Sequence, residues 1–169
     1  MLDKSRAMAV SKSFMDGSID TKGFYSQLTQ TLAEEMGCTR ASLWIYPNPD
    51  LQDSIECLGL WDRTEGTFVA GTILREDDFG AYFEAMRKTG LIDAGDARNH
   101  PDTSCFNEIY FGPLNIYSLL DVGINVAGRP YGLFCCENTT DVMMWTPQQV
   151  EYLRAVGTLL GFALRKAHA

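Results

Sequence analysis

Between Ser118 and Val126 the apolar residues fall at Leu120, Val122, Ile124 and Val126, with Asp121, Gly123 and Asn125 between them. A period of two is the signature of a β-strand with one apolar face. Ala127-Gly128-Arg129-Pro130 punctuates the pattern, and Tyr131 to Asn138 resumes it. Two such strands joined by so short a connection form an antiparallel hairpin. A helix follows. Thr146 is a favourable N-cap, Pro147 suits the first helical position, and Gln149 completes a capping box. Val150, Leu153, Val156, Leu160 and Ala163 lie along one stripe of that helix, expected to run to about 167. An apolar sheet face and an apolar helix stripe adjacent in sequence fold against each other.

The chain upstream supplies the remaining layers. Residues 1–16 are expected to be helical, with Met8, Phe14 and Met15 as apolar positions, ended by Asp16-Gly17-Ser18. Asp20 or Thr21 caps a second helix over 22–36, where Phe24, Leu28, Leu32 and Met36 recur every four residues before Gly37 stops it. Ala41–Tyr46 and Ser54–Trp61 read as strands separated by the turn Pro47-Asn48-Pro49-Asp50, and Thr67–Leu74 as a third. In the second strand Ile55, Cys57, Gly59 and Trp61 share one face. Asp77 or Asp78 caps a helix over 79–89 that carries Tyr82, Phe83 and Met86, ended by Gly90. Leu91–Ala94 is extended, 96–104 is a polar loop, and Phe106–Phe111 makes one or two helical turns stopped by Gly112-Pro113. Strands interrupted once by helices indicate an α+β fold on an antiparallel sheet.

Composition narrows the function classes. The chain has 169 residues and a net charge of −8, without a basic stripe, which disfavours nucleic acid and anionic membranes as partners. No apolar run approaches the roughly 20 residues of a membrane span, and Met1-Leu2-Asp3-Lys4-Ser5-Arg6 lacks a signal core, so a cytoplasmic location is expected. The five cysteines (38, 57, 105, 135, 136) are odd in number and form no Cys-x-x-Cys, which points to reduced thiols. With only His100 and His168 beside them, neither a metal site nor a haem is expected. Gly-rich phosphate loops and ordered Ser/His/Asp constellations are absent. No catalytic residue and no cofactor is assigned.

Ser118-Leu119-Leu120-Asp121-Val122, Gly128-Arg129, Gly132-Leu133, Cys136-Glu137 and Trp145-Thr146 stand in an order and spacing that resemble a GAF domain. This is the sensory module of bacterial histidine kinases, diguanylate cyclases, phosphodiesterases and phytochromes. Ala41-Ser42-Leu43-Trp44-Ile45 and Asp96-Ala97-Arg98 fit as well, so the resemblance spans about residues 20 to 166. It implies one domain over 1–169, with 1–19 as a helical lead-in and 147–169 as a signalling helix. It also implies a central antiparallel sheet of about five or six strands. The first and last helices cover one face, and short helices and loops cover a ligand pocket on the other. The implied role is a non-catalytic small-molecule-binding and dimerisation module. Its partners would be an unidentified ligand, a second copy through the terminal helices, and a kinase or cyclase effector in cis or trans. Leu159, Phe162 and Leu164, partly off the core stripe, form the expected dimer seam.

A two-residue loop at Ala127-Gly128 sets Val126 opposite Arg129, and an unbroken register then sets Leu120 opposite Cys135 and Ser118 opposite Glu137. Ser118, Leu120, Val122, Leu133, Cys135 and Glu137 would share one face, with Asp121, Phe134 and Cys136 on the other; a bulge would scramble this. In phytochromes, which look similar here, the positions matching Glu137 and Ser118 lie by the chromophore. The resemblance therefore implies that the Glu137 face lines the pocket. Trp44 or Trp61 from the sheet and Tyr82, Phe83, Asp93, Asp96, Phe106 and Tyr110 from the cover are its expected walls. Asp96 and Arg98 also suit a loop ion pair. An acidic pocket of Glu137 with Asp93 or Asp96 would prefer a cationic or amine-bearing compound. Two other readings stand beside this one. Some stand-alone GAF proteins reduce free methionine sulfoxide, for which Cys105 and Cys135 are the conceivable thiols, although the cysteine spacing differs. Tetrapyrrole binding is disfavoured, because Cys105-Phe106 lacks the histidine of the phytochrome Cys-His pair and Glu137 replaces the chromophore histidine.

Overall fold

The structure, a computed structural model, describes residues 2–169. Helices α1 (Ser5–Met15) and α2 (Thr21–Met36) precede strands β1 (Arg40–Ile45) and β2 (Ser54–Asp62). Two short strands follow, β3 (Thr67–Val69) and β4 (Ile73–Arg75), then α3 (Gly80–Thr89) and β5 (Leu91–Ala94). A covering segment winds through a 3₁₀ turn (Ser104–Phe106), a π turn (Asn107–Phe111) and the single turn α4 (Gly112–Leu114). The hairpin β6 (Ser118–Val126) and β7 (Arg129–Asn138) leads to α5 (Pro147–Leu159) and α6 (Gly161–Ala167). The strands form one antiparallel sheet of seven, ordered β3-β2-β1-β7-β6-β5, with β4 also on β2. This is the expected α+β architecture. The seventh strand arises because 67–74 breaks at Gly71, where φ is 101°.

The capping signals act as read from the sequence. The Asp20 side chain accepts from the Gly23 amide at 2.8 Å, and Gly37 closes α2 in the left-handed conformation. Thr146 and Gln149 form the reciprocal box, and the Gln149 amide donates to Met36 O at 2.9 Å, joining the start of α5 to the end of α2. Three local expectations change. Neither Asp77 nor Asp78 caps α3, whose first turn starts at Phe79 without a side-chain cap. The covering segment runs through Gly112-Pro113 to Asn115. The last helix is broken at Leu160, which rephases its end and buries Leu164 while Leu159 and Phe162 stay exposed. In α1 the buried residues are Ala7, Val10 and Phe14; Met8 and Met15 face solvent. Met1, the first residue of that expected helix, lies outside the described residues.

Each face of the sheet carries its own core. On one, α1, α2, α5 and α6 pack on Leu43, Leu120, Val122, Ile124, Phe134 and Cys136. On the other, α3 and the covering segment pack on Trp44, Ile55, Leu119, Leu133 and Cys135. Two bulges decide which residue meets which core. In β2, Leu43 pairs with Gly59 but Trp44 with Cys57, so Leu58 is the extra residue. Beyond it Leu60 and Asp62 join the face of Cys57, and Trp61 turns to the helices. In the hairpin, Val126 pairs with Arg129 as expected, across a turn in which Ala127 and Gly128 both have positive φ. Then Asn125 pairs with Pro130 and Ile124 with Gly132, which leaves Tyr131 unpaired with β6. The Tyr131 carbonyl accepts from the Tyr46 amide at 3.0 Å, and its hydroxyl donates to Leu164 O at 3.1 Å. From there on Leu120 faces Cys136 and Asp121 faces Cys135. The one-residue slip puts the β6 side chains from Ile124 back to Ser118 on the opposite face from that of the unbroken register.

Candidate functional site

The sheet face under the covering segment carries an unusual polar row. Arg40 opens β1 directly opposite Glu137 of β7, and Asp121 of β6 lies opposite Cys135, one pleat away. All are buried: Arg40 is 8% exposed, Asp121 2% and Glu137 1%. Buried charges need partners. Arg40 supplies the cation: its Nε donates to Glu137 Oε1 at 3.0 Å, a second nitrogen donates to the Tyr110 hydroxyl at 3.3 Å, and a third lies 3.8 Å from Asp62. The Tyr82 hydroxyl donates to Asp121 Oδ2. One oxygen of each carboxylate, Asp121 Oδ1 and Glu137 Oε2, is buried with no hydrogen-bond partner among the described residues.

The surroundings set the protonation of the row. Burial pushes the Asp121 carboxyl up to about 7; hydrogen bonds from the Cys135 thiol and the Tyr82 hydroxyl oppose this and the Glu137 charge adds to it. Burial also raises Glu137, with Arg40 opposing. Burial works against the Arg40 charge, but Glu137, Tyr110 and Asp62 outweigh it and hold the guanidinium protonated. The Cys135 thiol is pushed up by burial and by the two carboxylates, and Cys105 is raised by burial.

Between these groups and the cover lies a cavity of about 10 Å³. That is close to the ~10–15 Å³ that one water molecule requires. Its aromatic walls are Trp44, Tyr82, Phe106 and Tyr110, its polar floor Asp121, Cys135 and Glu137, and its apolar margin Ile55, Leu74 and Leu119. The Trp44 indole donates to Ser42 Oγ at 2.7 Å, which fixes its plane. Phe106 sits at the hub of the cover, stacked on Phe79 at 4.3 Å and edge-on to Tyr82 at 5.0 Å. Arg98 clamps the cover from behind: its Nε donates to Ile116 O at 2.8 Å and its guanidinium lies 4.2 Å over the Tyr117 ring. Among the described residues no group of three or more His, Cys, Asp or Glu is placed to hold a metal ion.

Six of the expected wall residues meet at this cavity: Trp44, Tyr82, Phe106, Tyr110, Cys135 and Glu137. Phe83 stands behind it, edge-on to Tyr82 at 5.2 Å. The others lie elsewhere. Trp61 packs against the helix layer because of the bulge at Leu58. Leu120 is in the helix-side core because of the bulge at Tyr131. Ser118 is a latch, donating to Gly95 O at 2.6 Å and accepting from the Met143 amide at 2.7 Å. Asp93 is exposed on the edge strand β5, and Asp96 is exposed and accepts from the Asn99 side chain; Arg98 bonds backbone carbonyls instead of pairing with it. The sequence reading missed Arg40 and put Asp121 on the wrong face. A charged residue opening an otherwise buried strand was the available signal for Arg40, since such a charge demands a partner across the sheet.

The family model for the GAF domain matches residues 20–164. The chain belongs to the GAF family. GAF domains of known structure share its fold at low identity. The phycocyanobilin-bound GAF domain of a cyanobacterial phytochrome is 13% identical with a TM-score of 0.75, covering 99% of this chain and 97% of that one. The GAF domain of an Acinetobacter phosphoenolpyruvate-protein phosphotransferase is 11% identical with a TM-score of 0.70, covering 97% and 93%. That of the Coxiella burnetii phosphoenolpyruvate-protein phosphotransferase is 12% identical with a TM-score of 0.67, covering 98% and 96%. No curated protein matches the chain. In this GAF domain the cavity lies between the sheet and the covering segment, and among the described residues no helix is long and apolar enough to cross a membrane.

Proposed function

We propose that this GAF domain is a non-catalytic regulatory module that recognises a small molecule above Asp121 and Glu137. A change there would pass to an effector through its terminal helices. The observation that carries the reading is the pair of unpartnered carboxylate oxygens beneath an aromatic cover. Each such oxygen costs about 1–3 kcal/mol unsatisfied, and a ligand donor would recover that cost.

The whole chain, 1–169, acts in this reading as one domain, with 1–19 as lead-in and 147–169 as output. Leu159 and Phe162, 48% and 76% exposed, are the seam through which two copies pair. The effector is a histidine kinase or diguanylate cyclase in cis or trans, in the cytoplasm, with neither nucleic acid nor membrane as partner. The phytochrome relative's phycocyanobilin is not the ligand we assign, because Cys105-Phe106 lacks the histidine of the phytochrome Cys-His pair and Glu137 stands in place of the chromophore histidine. Tetrapyrrole addition should leave the protein colourless. Thiol-dependent reduction of methionine sulfoxide is the second reading. It draws no support from the cysteines, since burial raises both Cys105 and Cys135 while that chemistry needs a thiolate. Replacing both by serine should leave any methionine sulfoxide reduction unchanged.

Native mass spectrometry before and after gentle denaturation tests the proposal. A co-purifying mass that is lost on denaturation, on a dimer, supports it. A monomer at high concentration removes the seam, and a protein that is empty and fails to bind any small molecule on screening removes the sensor.

A further inference from the structure

Building on the ligand-binding reading of this cavity, we infer that its occupant is a small organic cation bound through a primary ammonium group, held by Asp121 Oδ1 and Glu137 Oε2 inside an aromatic box.

Four observations converge on that chemistry. The first is the donor deficit. Both oxygens are fully buried, both lack partners, and both belong to residues that line one cavity. A ligand that brings hydrogen-bond donors would satisfy them, and an ammonium group brings three with no acceptor to be stranded. The second is charge. Arg40 is the cation of the row, and Glu137 Oε1, Tyr110 and Asp62 already occupy it. Among the described residues Asp121 has no cation of its own, so an added anion would face uncompensated repulsion and an added cation would not. The third is the wall. Trp44, Tyr82, Phe106 and Tyr110 surround the cavity, and aromatic faces attract cations, the more so where water is excluded. The fourth is size. An –NH₃⁺ group is about as large as a water molecule, the object that a cavity of about 10 Å³ admits. A divalent metal is disfavoured by the ligand count, since calcium takes about six to eight oxygens and two carboxylates fall well short.

The remainder of the ligand has to displace part of the cover. Leu74 and Tyr110 are the half-buried lining residues, and Leu74 stands on the three-residue edge strand β4, beside an equally short β3, where displacement disturbs the fewest ladder hydrogen bonds. Occupancy then couples to protonation. Asp121 is faced by Tyr82 from α3, by Tyr46 after β1, and by Cys135 and Glu137 from β7; Glu137 is faced in turn by Arg40, Tyr110 and Cys57. Apart from Arg40, which Glu137 holds, every one of these is neutral or acidic. In the empty site Asp121 is therefore largely protonated below neutral pH, and an arriving ammonium displaces its proton.

Calorimetry and thermal unfolding of the whole chain with matched probes test this: phenethylammonium chloride, the neutral 2-phenylethanol and the anionic phenylacetate. The ammonium probe should raise Tm and bind with release of close to one proton at pH 6 and close to none at pH 8, measured in two buffers of different ionisation enthalpy. Asp121→Asn should weaken binding at least tenfold and abolish the proton release. Glu137→Gln should also weaken it, and if that variant fails to fold, Asp121→Asn decides alone. Stabilisation by the neutral or anionic probe and not by the ammonium overturns the cation assignment while leaving a ligand site. No response to the ammonium probe, or equal binding by Asp121→Asn, overturns the assignment and marks the cavity as a hydration site. Whether any ligand is sensed is then settled separately by the mass spectrometry above.

Discussion

Replacing Asp121 by Asn should change how stability depends on pH more than it changes stability itself. Asp121 is fully buried, and burial lifts its carboxyl from the ordinary 3.8 to about 7. The folded value lies above the unfolded one, so the fold binds the proton more tightly than the unfolded chain does. The stabilisation from this proton is complete below about pH 4 and is lost as pH rises through about 7. A shift of about three units is worth about 4 kcal/mol in full, at about 1.4 kcal/mol per unit. Between pH 5 and pH 8 the wild-type chain should lose about 2–3 kcal/mol from this group. Asn keeps an oxygen that can accept from Tyr82 and carries no charge to desolvate, so the variant should lack that loss. The assay is urea unfolding of both proteins at pH 5, 6, 7 and 8, read as the difference between them, which cancels other titrating groups. For a chain of this length the same difference appears as about 5–10 °C in Tm. Parallel pH profiles for the two proteins would refute the argument that Asp121 is buried against its charge.

Three further outcomes follow from single contacts. Arg40→Met should cost about 3–5 kcal/mol, because Glu137 loses its buried cation; the double variant Arg40→Met/Glu137→Met should recover most of it, and a double variant no better than the single would contradict the pairing. Gly132→Ala should cost at least about 2–3 kcal/mol in urea unfolding, since its Cβ would fall 1.9 Å from Trp44 O between β1 and β7. Thr146→Ala should cost about 1 kcal/mol by opening the capping box of α5; an unchanged midpoint would mean that the box contributes nothing.

The elements and the site divide differently between sequence and structure. Helix α2 is legible residue by residue, from the Asp20 cap through the Phe24-Leu28-Leu32-Met36 stripe to Gly37, because caps and periods are local. So is the hairpin turn, where Val126 meets Arg129 as the two-residue loop demands. The aromatic cover is legible as a group, Tyr82, Phe106 and Tyr110 reaching the cavity together. Long-range pairing is not. The bulge at Leu58 carries Trp61 away from the site and brings Asp62 to it. The bulge at Tyr131 removes Ser118 and Leu120 from the Glu137 face and delivers Asp121 in their place. A strand of period two specifies which residues share a face, but not which of two cores that face meets. That is settled by a single extra residue, and Tyr131 is held in place by Tyr46 and Leu164, partners distant in sequence. The sequence alone therefore determined an antiparallel α+β fold, and its family resemblance implied an aromatic-covered sheet face that carries Glu137. Only the tertiary structure decided that the second carboxylate is Asp121 and that Arg40 neutralises the first, because a buried charge acquires its meaning from the strand that comes to lie beside it.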